Sequence, residues 1–588
     1  MPRLSLFLSF LVFAIALELS SPVQAARTGL QPQFDTLLDQ VTFGSGFDLS
    51  PSRVSATTSH SSDFCPQVKP LNPSKHAHLT SKLYDLYDTD KFKNRTYEAL
   101  RGAVRIPSES YDVMDPVGED PRYEIFGQLH EYLQTTYPLV HSTLNLTKVN
   151  TYGLLYHWQG SNSSLKPILL AAHQDVVPVN PDTVDEWVHP PYSGDYDGTW
   201  IWGRGTCDDK ASLTSILTSI EALISQGFAP TRTIVLASGF DEESGGFQGA
   251  GHLAVHMKEV YGEDSFAALI DEGYGFTSRF GEDVIFAVPN TSEKGSVNIA
   301  IEIATSGGHS SVPPPHTGIG ILSASVVQIE DNPHTPQLYR EDTSFATFQC
   351  IAEHGEDIPA SLRILARLAN ENDIALEEFK KVLLSLSPFS YAIMGTTQAV
   401  TIIQGGVKTN ALPETAYAVI NHRIAEHSSV GEVQQHVTSV LLPIAQQFDL
   451  TVESFGINKT VDGSSGKGGH MNISLAFNRP GLEPSPPTPI GIKDIPFKIL
   501  SGTIKATLER SPLYADKKVV VAPMLSLVNT DTRFYWDLTS HIFRFLPFHE
   551  NDLYNGVHTV NEAIRAEALT EAVKFYTMFI LNWDESFA

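Results

Sequence analysis

Five short segments of this 588-residue chain combine imidazole and carboxylate side chains in patterns suited to holding divalent cations and splitting water. The first is Ile168-Leu-Leu-Ala-Ala-His173-Gln174-Asp175, an apolar run ending in His-x-Asp. Residues two apart in extended backbone share a face, so Asp175 can lie beside His173 and fix the tautomer of a metal-bound imidazole. The second, Trp202-Gly-Arg-Gly-Thr-Cys207-Asp208-Asp209-Lys210, sets paired acids at the start of a helix, where the dipole favours negative charge. The third, Asp241-Glu242-Glu243-Ser-Gly-Gly, places three carboxylates after an apolar strand. They repel one another unless a cation or solvent relieves them, and one can bind metal while its neighbour takes a proton from water. The fourth is Asp271-Glu272-Gly273, and the fifth is Gly556-Val-His558-Thr-Val-Asn-Glu562, expected to open the C-terminal helix. Each alone has a blander reading as a surface histidine, a helix cap or a solvated acidic turn. Cys207 is a poor nucleophile, because the acids beside it disfavour a thiolate.

The elements that must position these residues alternate. The apolar spacing predicts helices over 120–133, 212–226 and 249–260, and strands over 168–172, 233–237 and 266–270. Strand–helix alternation indicates an α/β layer with parallel strands, and ligands in such sheets gather at the carboxyl ends of the strands. After residue 292 the texture changes. Strands are expected over 296–303, 398–404 and 415–424, with helices over 318–329, 374–386 and 430–448. Residues 293–456 therefore read as an inserted α+β lid, dividing a catalytic domain into 80–292 and 457–588. The Gly, Ser and Pro-rich span 459–489 reads as a long loop, and 26–79 as a loosely ordered leader.

Taken in order, the five motifs resemble the M20 family of dinuclear zinc peptidases, most of all its carboxypeptidase S (Gly-Xaa carboxypeptidase) branch, over roughly residues 80–585. The resemblance implies a central mixed sheet flanked by helices, a lid domain of the dimerising type and two Zn²⁺ per subunit. Asp208 would bridge the ions, with His173 and Asp271 completing one site and Glu243 and His558 the other. Relatives use either acid at the fourth motif; Asp271, which follows the expected strand directly, is preferred here over Glu272. Glu242 would be the general base for a metal-bridging hydroxide, and Asp175 would orient His173. Ser306-Gly-Gly-His309, Asn410 and Arg533 resemble the family's substrate-side positions, His309 often reaching across a dimer and Arg533 gripping a carboxylate. The implied activity is removal of a C-terminal residue from short peptides. An aminoacylase-like hydrolysis of N-acyl amino acids would use the same metals, and a non-catalytic binding protein on the same scaffold would not keep all five motifs intact. A serine hydrolase is disfavoured, since no Gly-x-Ser-x-Gly elbow follows an expected strand.

Composition bounds the partners and the compartment. Lys+Arg 40 against Asp+Glu 67 gives a formal charge of −27, which disfavours nucleic acid and anionic membrane surfaces. Three cysteines, Cys65, Cys207 and Cys350, allow one disulfide at most. Residues 1–25 have the layout of a secretory signal peptide. Their apolar run, Leu4 to Leu17, is shorter than the roughly 20 residues a bilayer needs, and Ala25 is a plausible cleavage point. Six N-x-[ST] sequons, at Asn94, Asn145, Asn162, Asn290, Asn458 and Asn472, agree with a glycoprotein of the vacuolar lumen or the exterior.

Overall fold

The computed structural model describes residues 64–587; the expected signal peptide and most of the leader lie outside them. The fold is α/β with a central mixed sheet of ten strands. Its main path runs Asn145–Val149, Gly153–Trp158, Ile234–Ser238, Ile168–Ala171, Ala268–Thr277, Ile542–His549, Asn290–Glu293 and Met524–Ser526. Ile168–Ala171 pairs in parallel with both Ile234–Ser238 and Ala268–Thr277. Its four apolar residues are all buried, as a parallel strand covered on both faces requires. Ile168 and Leu170 pack with Ile216 and Ile220 of the Lys210–Ser225 helix and Val573 of Ala566–Glu585. Leu169 and Ala171 face the other way, onto Leu253 and Met257 of Ala250–Tyr261.

A second, six-stranded sheet follows the order Thr397–Gly405, Thr415–Ile424, Gly295–Ala304, Gly469–Leu475, Leu450–Ser454 and Ile457–Lys459. Gly295–Ala304 alternates buried and more open residues along most of its length, the pattern of a strand with one packed face. Ile299 and Ile301 meet Ile321 of Gly318–Glu330 and Val437 of Val430–Gln447. The lid sheet extends past the boundary expected at 456. Gly469–Leu475 pairs with Gly295–Ala304 and Leu450–Ser454, so the span expected as a loop over 459–489 contains one of its inner strands. Between the lid strands, four helices from Thr343–His354 to Pro388–Met394 form a separate core that takes in Leu525 of the catalytic sheet.

The leader also ends earlier than expected. Residues 64–79 are docked: Leu71 N–H donates to the Gly502 carbonyl at 2.8 Å, and the Ser74 and His76 amides donate to Glu585 at 2.9 and 2.8 Å. Cys65 forms a disulfide with Cys350 of the helical cluster, and both are buried. Of the six sequons, Asn290 is fully buried, its Oδ1 accepting from the Tyr274 amide, so no glycan fits there in the folded chain. No helix among the described residues is long and apolar enough to cross a membrane.

Candidate metal centre

The five motifs converge at the carboxyl ends of the central strands. His173 lies two residues beyond Ile168–Ala171 and is 2% exposed; its Nε2 is 2.9 Å from Asp208 Oδ1 and 3.7 Å from Glu272 Oε1. The other oxygen of Asp208 is 3.0 Å from His558 Nε2, which is also 3.1 Å from Glu243. Asp208 thus stands between two imidazoles, one on each side. Potential ligand atoms of His173, Asp208 and Glu243 lie within 4.8 Å of one another, as do those of His173, Glu242 and Glu272. His558 does not open the C-terminal helix: it sits in a turn with φ 59°, and a short strand, Ala563–Arg565, intervenes before the helix starts at Ala566.

Asp175 does more than orient His173. One carboxylate oxygen is 3.2 Å from His173 Nδ1 and accepts from the Glu242 amide at 3.1 Å; the other accepts from the Glu243 amide at 3.0 Å and the Ser110 hydroxyl at 2.5 Å. The same side chain therefore fixes the imidazole and the backbone of both following acids. Asp241 holds the far end of that loop, accepting from the Gln248 and Gly249 amides, each at 2.7 Å. Neither Ser110 nor the loop-holding role of Asp241 has a signal in the sequence.

At the fourth motif both acids lie close to His173. The strand does not stop at residue 270 but runs Ala268–Thr277, with an irregular register against Ile542–His549 just after Asp271. Glu272 faces His173, whereas Asp271 pairs in register with Arg544 and its Oδ1 accepts from the Glu272 amide. Arg544 is itself buried against Glu293 at 3.0 Å, and the Asp271 Oδ2 is buried without a hydrogen-bond partner. Glu272→Gln is expected to lower the bound metal toward one ion per chain, while Asp271→Asn keeps the wild-type content, measured by elemental analysis of the purified proteins.

Glu562, the last residue of the fifth motif, ties two distant loops together. It is fully buried, pairs with Arg204 at 2.5 Å and accepts from the Gly205 and Cys207 amides at 3.1 and 2.8 Å. Arg204 also donates to the Thr559 carbonyl at 3.2 Å. The loop bearing Asp208 is thereby fastened to the loop bearing His558. Cys207 is enclosed here; burial, reinforced by Glu562, drives its thiol well above the usual range, so it is no nucleophile.

Of the substrate-side residues, Arg533 lies at the cluster. Its guanidinium packs over the rings of Phe247 and Phe534 at 4.8 and 4.7 Å, its Nη2 is buried without a partner, and Glu242 is among the acids acting on it. His309 and Asn410 lie elsewhere, on a small lid ribbon where the Ser310 amide donates to the Asn410 carbonyl at 3.1 Å. His309 is exposed and bonded to Ser311, and it is not among the groups that the chain brings around Asp208.

The donor set fits cations. Burial, and after it the neighbouring carboxylates, push Glu242 and Glu272 well above the ordinary carboxylate range. For His173 burial acts downward, yet Glu272, Asp175 and Asp208 outweigh it and raise the imidazole far above its usual value. A partly buried cluster of carboxylates and imidazoles under this mutual stress is relieved by positive ions, and its nitrogen and oxygen donors suit zinc-like metals.

Such a cluster at the strand ends of an α/β sheet defines a metal-dependent hydrolase. The family model for peptidase family M20/M25/M40 matches residues 169–582, and the chain belongs to that family. It is 38% identical over 531 residues to carboxypeptidase S of Saccharomyces cerevisiae, covering 89% of each chain. It is 31% identical to the human N-fatty-acyl-amino acid synthase/hydrolase, covering 83% of this chain and 87% of that protein. Among solved structures it resembles human carnosine dipeptidase 1, with TM-score 0.56 and 14% identity over 88% of this chain and all of the other. The chain is therefore a hydrolytic peptidase.

Proposed function

We propose that the protein is a two-zinc carboxypeptidase that removes the C-terminal residue from short peptides. The observation that carries this reading is the half-buried Asp208 between His173 and His558, with Glu242 at the same cluster and the unpartnered Arg533 Nη2 beside it. His173, Asp208, Glu272, Glu243 and His558 would hold the ions, which when bound supply Lewis acidity to the scissile carbonyl and to water. Glu242 accepts the proton of the attacking water and delivers it to the leaving amine. Arg533 pairs with the substrate's terminal carboxylate, a planar fork suited to bidentate contact.

A second reading is hydrolysis of N-acyl amino acids, favoured by the relative whose name carries that activity. Both substrates present an amide next to a free carboxylate, so the metal cluster and Arg533 serve either. Turnover of an N-blocked Gly-Leu dipeptide is expected to exceed that of a long-chain N-acyl amino acid; the reverse ranking in kcat/KM overturns the peptidase assignment in favour of the second.

We also propose that the lid pairs two chains. Its edge strand Thr397–Gly405 leaves Ile403 exposed, and His309, remote from its own chain's cluster, would serve the partner's. Passage through the secretory pathway, to the vacuolar lumen or the exterior, is supported by the Cys65–Cys350 disulfide, a bond that persists in oxidising compartments.

A further inference from the structure

A cleft of about 370 Å³, lined by none of the proposed metal ligands, opens on the catalytic domain between the Ile125–Thr136 helix and the Asn145–Val149 and Gly153–Trp158 strands. Its walls carry Lys148, His130, His141 and Asn145 over an apolar floor that includes Leu146 and Leu154, and none of its lining residues is acidic. In a chain of net charge −27 that is a local reversal of sign. Lys148 makes no ion pair among the described residues. Its ammonium instead donates to His130 Nδ1 at 3.0 Å.

His130 is 6% exposed, and burial, with Lys148 adding to it, lowers its imidazole to about 4, so the ring is neutral and free to accept. With Nδ1 accepting, Nε2 carries the proton and donates to Gln174 Oε1 at 2.8 Å. Gln174 is fully buried and stands in the chain between His173 and Asp175. Its Nε2 donates to the Tyr152 and Ser238 carbonyls at 3.0 and 2.9 Å, and its amide to the Gly239 carbonyl at 2.9 Å. Two hydrogen bonds therefore connect the cleft's one cation to the loop that carries His173.

We propose that this cleft is a binding site for a small organic carboxylate, whose anionic group pairs with Lys148 and whose apolar part rests on Leu146 and Leu154. A cation without an anionic partner, amide and imidazole groups around it and a greasy floor complement such a molecule. Drawing the Lys148 ammonium toward the ligand removes the donor from His130 Nδ1, and the change is passed through Gln174 to the metal-binding loop.

Benzoate and benzyl alcohol, of similar size and differing in charge, are the probes. Calorimetric titration of the intact protein is expected to show benzoate binding that the alcohol lacks. Lys148→Met should weaken benzoate about tenfold and, because it also removes the donor from His130 Nδ1, shift kcat without benzoate in the same direction as saturating benzoate does in the wild type. Saturating benzoate should alter kcat in the wild type and not in Lys148→Met. Competition at Arg533 would instead raise KM alone and survive the substitution. Equal binding of the alcohol, or benzoate affinity unchanged by Lys148→Met, would overturn the proposal. So would binding that appears only after sugar is removed from Asn145, which would assign the cleft to a glycan. Because binding is read without turnover, the substrate assignment above can fail while this site stands.

Discussion

Replacing Glu242 with glutamine is expected to lower kcat by about a hundred- to ten-thousandfold while leaving metal content and thermal stability close to wild type. Glu242 and Glu243 are neighbours in one short turn, and their amides are both anchored by Asp175, yet their side chains have different companions. Glu243 meets His558 and shares a ligand group with His173 and Asp208; Glu242 shares the other group, with His173 and Glu272. The glutamine keeps the size and hydrogen-bonding oxygen of the side chain and removes only its capacity to take a proton. Elemental analysis and steady-state kinetics on the same preparation decide the matter. Loss of metal together with activity would make Glu242 a ligand, and unchanged kcat would remove it from the reaction.

Removal of metal should have the larger effect. Dialysis against a strong zinc chelator is expected to reduce peptide hydrolysis to background, and added zinc to restore it. The apoprotein should also be less stable, since each ion bound only by the folded chain contributes about 2.7 kcal/mol when free metal stands a hundredfold above its dissociation constant. The physical reason lies in the site: Glu242, Glu243 and Glu272 are partly buried side by side and all held above their usual range, loss of hydration being the leading cause. Full activity in protein shown to be metal-free would refute the two-zinc reading.

The metal cluster was readable in the sequence because its members fall at the ends of apolar runs. His173, Asp208, Glu243 and His558 each belong to a short motif, and strand ends in an α/β sheet face a common crevice. The choice between Asp271 and Glu272 was not readable, since both acids lie close to His173 and the strand that carries them is irregular at this point. The lid's far boundary was hidden for a different reason. Gly469–Leu475 begins with glycine and histidine and carries Asn472, a composition poor in strand formers, and only its pairing on two sides makes it a strand. The docking of residues 64–79 depends on partners more than 280 positions away, such as Cys350, Gly502 and Glu585, which no local pattern reveals.

The fastening of Arg204 and Glu562 has a bearing on how the enzyme comes into being. A chain still emerging from the ribosome already contains His173, Asp208 and Glu243, but it lacks His558 and the carboxylate that secures the Asp208 loop. The last stretch to be synthesised supplies both at once, together with the Ala566–Glu585 helix that packs on the catalytic core. On the proposed ligand set, hydrolysis would be withheld from the nascent protein, and a product truncated before residue 558 is expected to be silent in a peptidase assay.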